Sequence, residues 1–362
     1  MAKIIIDARE YSTSTGRYVT NLIAHLQHTD QTNQYKLLLK PEDLDKCVLS
    51  NPMFEKVACP HKEFTLDEQG ALQKQIEGLK PDLVHFTMTQ QPAFYRGKTV
   101  TTIHDLTTLR FTNPDKNKAV FKVKQQVYKW LTKRVARKSD QLITPTEFVK
   151  NDVVNFAHIP ADKITVTYEA ADKITDNPDP LPDLQNQKFI MYIGRPTPHK
   201  NLERLIEAFA LLRAQHPELK LVLAGKKDAN YQRLEAQHRQ NVHFTDKVTE
   251  GQLRWLYEHC SAYVFPSLSE GFGLPGLEAM AHGAPVVSSN ATCLPEVYQD
   301  AAHYFDPTDT QAMADAINEV LTDTNLREKL VKSGRKQAEK YSWRRMAEQT
   351  LQVYEKVLTQ QP

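Results

Sequence analysis

Between Ser269 and Glu278 the chain reads Ser-Glu-Gly-Phe-Gly-Leu-Pro-Gly-Leu-Glu, with a carboxylate near each end, Glu270 and Glu278. The apolar run Ala262–Phe265 just before it predicts a short buried strand. Leu277 to His282 predicts a helix, with Pro275 at or near its first position, where a missing N–H costs nothing. A strand, a Gly-rich turn and a helix start together form an anion site, because free backbone N–H groups and the positive end of the helix dipole face one point. Gly271 and Gly273 let a diphosphate approach the backbone with no Cβ in the way. Glu278, in the first turn, is placed to accept hydrogen bonds from hydroxyls. Phosphate held by backbone and hydroxyls held by carboxylates describe a nucleotide-sugar site. Taken alone, the loop reads equally well as a tight turn chosen for packing.

The elements that must position these groups need room. A chain of 362 residues suggests two domains of ordinary size. At 40% hydrophobic and 25% charged, with no low-complexity tract, the composition is that of a globular protein. The four cysteines, Cys47, Cys59, Cys260 and Cys293, show neither metal-ligand nor redox spacing, which fits reduced thiols in a cytoplasm. No signal-peptide segment or membrane span is expected. A net charge of +2 argues against bulk nucleic-acid binding.

Lys3–Asp7 has the look of a central parallel strand. The polar turn 12–16 follows, then Tyr18, Val19, Leu22, Ile23 and Leu26 at helical spacing, the start of a doubly wound α/β domain. Further strands are expected at Tyr35–Leu39, Asp82–Phe86, Thr99–Ile103, Gln141–Thr144 and Ile164–Tyr168. His104 stands at the carboxyl end of one of them, where open α/β sheets bind ligands; a lone His there is more often structural. Lys116 to Lys138 holds nine Lys and Arg with no acid between them. Val120, Val123, Val127, Trp130 or Leu131, and Val135 recur at helical spacing, so a basic amphipathic helix is expected, one face buried and the cationic face solvated. The sharper alternative is a patch facing anionic lipid or a lipid-linked acceptor.

The proline-rich segment 176–183 is read as an interdomain linker. A second α/β domain then opens with Phe189–Arg195, continues through Leu221–Gly225 and Val242–Phe244, and closes with helices at Thr310–Leu321 and Asn325–Tyr341; the last segment, Trp343–Leu358, is also expected to be helical. Arg195, at a strand end, and Lys200, at a helix start, make a diphosphate clamp plausible, the one through its fork and the other as a point charge.

Ser269 to Ala281, with Gly283–Val287 after it, resembles the donor-site signature of the retaining "group 1" glycosyltransferases of GT-B fold. Its hallmark is a Glu, seven residues, then a Glu, here Glu270 and Glu278. Gly194-Arg195 and Lys200-Asn201 resemble the second signature of that family, and His104-Asp105-Leu106 its N-terminal His-Asp-Leu. The resemblance implies two Rossmann-like doubly wound domains facing a central cleft. Residues 1–178 would form the acceptor side and 184–342 the donor domain, with a terminal helix, 343–362, crossing back to the first. It implies transfer of a hexose, mannose or glucose type, from a nucleotide-diphosphate sugar to a saccharide or lipid-linked acceptor, with retention and with neither metal nor cofactor. His104, Arg195, Lys200 and Glu270 would serve the chemistry, and Gly16, Val248, Gly271, Phe272, Gly273, Leu274 and Glu278 would bind donor. The enzyme would be cytoplasmic; peripheral membrane contact through 116–138 belongs to the sharper reading of that helix.

The sequence departs from the family in three places. The glycine-rich loop keeps only Gly16, Asp246 stands where the base-contacting loop usually has Gly, and the corner Tyr168-Glu169-Ala170-Ala171-Asp172 replaces an Asn-Gly version. Two other classes stay open: a non-catalytic sugar-nucleotide binder, and a nicotinamide oxidoreductase. The second fails for want of Gly-x-Gly-x-x-Gly after Asp7.

Overall fold

Short runs of β-branched and leucine residues, buried on both faces, build two parallel sheets, as central strands between helical layers require. A computed structural model describes residues 1–13, 16–111, 118–238 and 242–360, with side chains of 118–122 excluded. Ser14, Thr15 and Lys116 lie outside the described residues, as do the side chains of Lys118, Val120 and Lys122. The chain divides into two compact units, one of residues 1–110, 118–169 and 342–360, the other of residues 170–341.

In the first unit the strands are β1 (Lys3–Asp7), β2 (Gln34–Leu39), β3 (Phe54–Ala58), β4 (Leu83–Phe86), β5 (Thr99–Thr102), β6 (Gln141–Thr144) and β7 (Ile164–Val166). They lie in the order β3-β2-β1-β4-β5-β6-β7, every pair parallel, with Ile4 opposite Tyr35 on one side and Leu83 on the other. In the second unit β8 (Phe189–Ile193), β9 (Lys220–Ala224), β10 (Val242–Phe244), β11 (Ala262–Phe265), β12 (Val286–Ser289) and β13 (Ala302–Phe305) take the order β10-β9-β8-β11-β12-β13, also all parallel. Strand order reverses between β1 and β4 in one sheet and between β8 and β11 in the other. Both sheets are thus doubly wound, and the carboxyl ends where the order reverses are where such sheets take ligands.

The terminal helix Trp343–Thr359 packs on the helix Gly16–Thr29 and on β4 to β6 of the first unit. Trp343, Met346, Ala347, Thr350, Val353, Tyr354 and Val357 are its buried face, a 3.6-residue stripe that leaves the charged positions outside.

Two expectations change. The helix Lys118–Lys138 forms, but only the C-terminal part of its apolar stripe, Leu131 and Val135, faces the core: Val123, Val127 and Trp130 are exposed. Leu131, Thr132, Val135 and Ala136 are the buried positions. The cationic side is not simply solvated either, because Arg134, Arg137 and Lys138 donate to the carbonyls of Ala93, Ala157 and Pro92. Those bonds fix the rotation of the helix and leave the valines outward. The proline-rich segment is laced to the second unit and ends in a 3₁₀ turn at Pro182–Leu184: the N–H of Asp179 donates to the Gly251 carbonyl at 3.1 Å, and Arg254 to that of Asp176 at 2.9 Å. The units divide earlier, after Glu169.

Candidate active site

In the second unit the predicted residues collect where β8 and β11 end side by side. After β8 the chain turns at Gly194, with φ +147°, which sits so close to Tyr192 that a Cβ would come 2.5 Å from its hydroxyl. Arg195 follows, exposed. A short 3₁₀ turn, Pro198–Lys200, carries Lys200 to the start of the helix Leu202–Leu212. Asn201 holds that turn in place: it adopts a left-handed conformation, φ +60°, and its amide donates to the carbonyls of Pro266 and Pro307 at 3.1 and 2.8 Å. The N–H of Leu268 donates to the His199 carbonyl at 2.7 Å. The β8 side and the β11 loop are therefore stitched together through backbone.

The result is a contact between two predicted residues seventy positions apart. Lys200 Nζ lies 2.6 Å from Glu270 Oε1, both side chains largely buried. The same ammonium stands 5.7 Å from the centroid of Phe265. An ammonium has three donors, so this pairing leaves capacity for an anionic ligand. Glu270 is itself fixed from behind: its N–H donates to Thr292 Oγ1 at 3.1 Å, and Cys293 Sγ donates to its carbonyl.

Beyond Glu270 the loop enters the helix Leu274–Ala281 through Gly273, φ +93°, with Pro275 inside the first turn. Tyr298 explains the glycines. Its hydroxyl donates to the Gly273 carbonyl at 2.5 Å, and a Cβ at Gly273 or Gly276 would come within 2.5 or 2.2 Å of it. Glu278 is buried on this helix and accepts from the Tyr257 hydroxyl at 3.3 Å. Phe272 is buried with its ring edge-on to Tyr341, 5.4 Å between centroids, and Leu274 is half-buried. Val248 lies on the loop after β10, half-buried. The departure at Asp246 has a structural use there: its carboxylate accepts from the backbone N–H groups of Lys227 and Lys247 at 3.2 and 2.8 Å, tying the loops after β9 and β10 together.

In the first unit Gly16 opens its helix so close to the preceding turn that a Cβ would lie 2.1 Å from the Tyr11 carbonyl. His104, just past β5, is held from three sides. Nδ1 lies 3.2 Å from Glu169 Oε1, Nε2 3.1 Å from the Thr87 carbonyl, and the ring meets Tyr18 edge-on at 4.8 Å. Tyr18 is fixed in turn by Thr102, 2.9 Å away, which also meets His85 Nε2 at 2.8 Å; His85 Nδ1 meets the Tyr354 hydroxyl of the terminal helix at 2.6 Å. Burial acts to lower the pKa of His104, but the bond to Glu169 and the carboxylate's charge outweigh it and hold the imidazole above its usual range. Burial, then the charge of His104, keep His85 down at about 3.

Three residues that shape these sites were given no role from sequence, and Asn201, quoted in the second signature, was given none of its own. Glu169 stood in a corner already seen to depart from the family. Thr292 and Tyr298 gave no local signal, because their roles are set by contacts 22 and 25 residues away.

Known proteins resemble the chain over nearly its whole length. Residues 16–173 match the family Glycosyltransferase Family 4, and residues 173–337 match Glycosyl transferases group 1. O-antigen chain mannosyltransferase B of Escherichia coli is 34% identical over 277 residues, 71% of this chain and 70% of that protein. The sucrose-phosphate synthase of Thermosynechococcus elongatus superposes with a TM-score of 0.79 at 18% identity, covering 99% of both chains. The Anabaena protein HepE, solved in complex with UDP and glucose, superposes with a TM-score of 0.72 at 17% identity, covering 98% of this chain and 99% of its own. The chain is a member of the group 1, family 4 glycosyltransferases and carries their GT-B fold.

Proposed function

We propose that the protein transfers a hexose, of mannose type, from a nucleotide-diphosphate sugar to a saccharide hydroxyl with retention of configuration, in the synthesis of a cell-envelope polysaccharide. The observation that carries this reading is the Lys200–Glu270 pair at the point where strand order reverses, beside a Gly-rich helix start. Breaking the anomeric bond concentrates negative charge on the departing diphosphate. Arg195, Lys200 and the N–H groups after Glu270 are the groups we assign to stabilise it, a task that needs no metal in this reading. Glu278 is assigned to the ribose hydroxyls and Glu270 to the sugar hydroxyls, while it also orients Lys200. No carboxylate is assigned as nucleophile; retention rests on family analogy, with attack on the face that the leaving group vacates. His104 is assigned to the sugar end, its ring fixed there by Glu169 and the Thr87 carbonyl. The mannose preference is drawn from the E. coli relative, and the nucleotide-sugar class from HepE. The enzyme works in the cytoplasm, in peripheral contact with an anionic membrane.

Thermal shift against GDP-, UDP- and ADP-sugars tests the donor, since a ligand that binds only the folded state raises apparent stability. GDP-mannose is expected to give the largest shift, and NMR of the product to show a retained anomer. Arg195→Ala and Lys200→Ala are expected to lower kcat more than they raise KM. A protein that no sugar nucleotide stabilises, or an inverted product, overturns the reading. Donor binding without turnover on any acceptor would favour a non-catalytic binder.

A further inference from the structure

The 118–138 helix presents to solvent a face that a merely solvated helix would bury. Val123, Val127 and Trp130, spaced i, i+4, i+7, are 65%, 58% and 51% exposed. Two loops extend that stripe. Phe94, 60% exposed, stacks obliquely on Trp130 at 6.2 Å, and Phe64, 63% exposed, on Tyr128 at 5.9 Å, with exposed Leu66 beside it in sequence. Six of the nine exposed large hydrophobics among the described residues belong to this helix or these loops. Single apolar side chains scattered on a surface need no account, but a concentration of them does.

Along the helix the charge beside the patch is cationic, while Glu63 and Asp67 flank Phe64 and Leu66 in their loop. Lys124 and Lys129 are exposed along it, and the Arg134 guanidinium lies 4.5 Å over the Phe94 ring and 6.0 Å from Trp130. At that end the patch runs into a polar cavity of about 510 Å³, lined by Phe94, Arg96, Lys98, Arg134 and Lys138 on one hand and Asp140 on the other. Lys98 and Lys138 are pinned at the cavity by backbone carbonyls, those of Gln360 at 2.7 Å and Pro92 at 2.6 Å. Burial, then the nearby charge of Arg134, push Lys138 down to about 8. Cations crowded at a cavity mouth are relieved by an anion.

We propose that this face docks on an anionic phospholipid bilayer, with Phe64, Phe94, Val123, Val127 and Trp130 entering the interfacial layer and the Arg96–Arg134–Lys138 cavity taking a headgroup phosphate. Exposed aliphatic and aromatic residues rimmed by lysine and arginine are what an interfacial helix needs, and Trp settles at headgroup level. A second copy of the chain is disfavoured as occupant, because a two-fold interface would set this cationic rim against itself. Nucleic acid would use the cations but leave the valines in water. The docking stands independently of the donor assignments; only its use, to bring the enzyme to an acceptor at a surface, rests on the proposed function.

The full chain, sedimented with phosphatidylcholine vesicles with and without phosphatidylglycerol, provides the test. Binding is expected only with phosphatidylglycerol, weakening as salt rises. A V123S/V127S/W130S variant should lose roughly tenfold or more in vesicle affinity, since burying one such side chain is worth about that factor. These positions are exposed, so the variant should fold, and its donor titration in solution should match the parent. Trp255 and Trp343 are buried, so a blue shift of fluorescence on adding vesicles reports Trp130 directly. R134Q/K138Q should reduce the dependence on phosphatidylglycerol. No pelleting with anionic vesicles, equal pelleting of the triple variant, or a dimer that the triple substitution dissociates would each overturn the proposal. Failure of donor titration in parent and variant alike would strike the functional reading and leave the surface untouched.

Discussion

At His104 the ring nitrogens settle a question of charge. A carbonyl oxygen and a carboxylate accept hydrogen bonds, and these are the partners of Nε2 and Nδ1. Two acceptors facing the two ring nitrogens favour the doubly protonated ring over the neutral one, in keeping with its raised pKa. Glu169 is the group that raises its pKa, Asp105 adds to the effect, and His85 faces it as a neutral neighbour. A folded pKa above the unfolded value stabilises the fold fully below the unfolded pKa, about 6.5, and the contribution is lost as pH rises through the folded one. Glu169→Gln should therefore cost stability at acid pH, with the difference from the parent vanishing as pH rises. The alkaline limb of the kcat/KM profile should move to lower pH in the variant, a shift that a packing defect would not produce. Nitrogen-15 NMR showing one neutral tautomer at His104 near pH 7 would refute the argument. His104 was legible because a strand end followed by His-Asp-Leu is a local pattern. Glu169, 65 positions away, was visible only as an anomaly.

Among the elements, the donor loop shows how a motif can be read correctly for a partial reason. Approach of a diphosphate was the reason offered for its glycines; Tyr298 supplies a packing reason for Gly273 and Gly276 as well. Gly276→Ala should force Tyr298 to move, and overpacking of this kind costs about 1–3 kcal/mol. Because Tyr298 also holds the Gly273 carbonyl, donor affinity should fall in the same variant. Gly70→Ala is the control: nothing lies within 4 Å of its added Cβ, and loss of backbone freedom in the unfolded chain should leave it neutral or about 0.4–1 kcal/mol more stable. Urea denaturation of the two variants decides, and equal stabilities would sink the packing account. The strands that went unread have physical reasons too. β3 and β13 are edge strands of mixed polarity, Phe-Glu-Lys-Val-Ala and Ala-His-Tyr-Phe, and β12 buries two serines, so none shows the apolar run that marked β1 or β11. The 118–138 helix was found by its periodicity, but its rotation was not, because backbone carbonyls of Pro92, Ala93 and Ala157 decide it.

At the scale of the molecule, the two units differ in how the chain supplies them. The second is made almost wholly from the stretch Ala170–Tyr341, whereas the first is completed only by the last helix, Trp343–Thr359. Seven side chains of that helix are buried in the first unit, and burying an apolar side chain contributes about 1.5–3 kcal/mol. Even discounted for residual structure in the unfolded chain, their sum is comparable with the whole stability of a domain, about 5–15 kcal/mol. Tyr354 adds a link that no shorter chain could make, its hydroxyl meeting His85 across a separation of 269 residues. A chain ending at Tyr341 should therefore lose the first unit's cooperative transition while the second unit melts as in the parent. Because Arg195, Lys200, Glu270 and Glu278 all belong to the second unit, the truncated chain should still bind sugar nucleotide, and it should not turn it over. Tyr354→Phe, which removes one buried hydrogen bond and leaves His85 Nδ1 without its partner, should cost only about 1–3 kcal/mol and keep both transitions. Calorimetry of the two variants separates these outcomes: if the truncated chain melts with both transitions intact, the terminal helix is an ornament on the first unit and not part of its core.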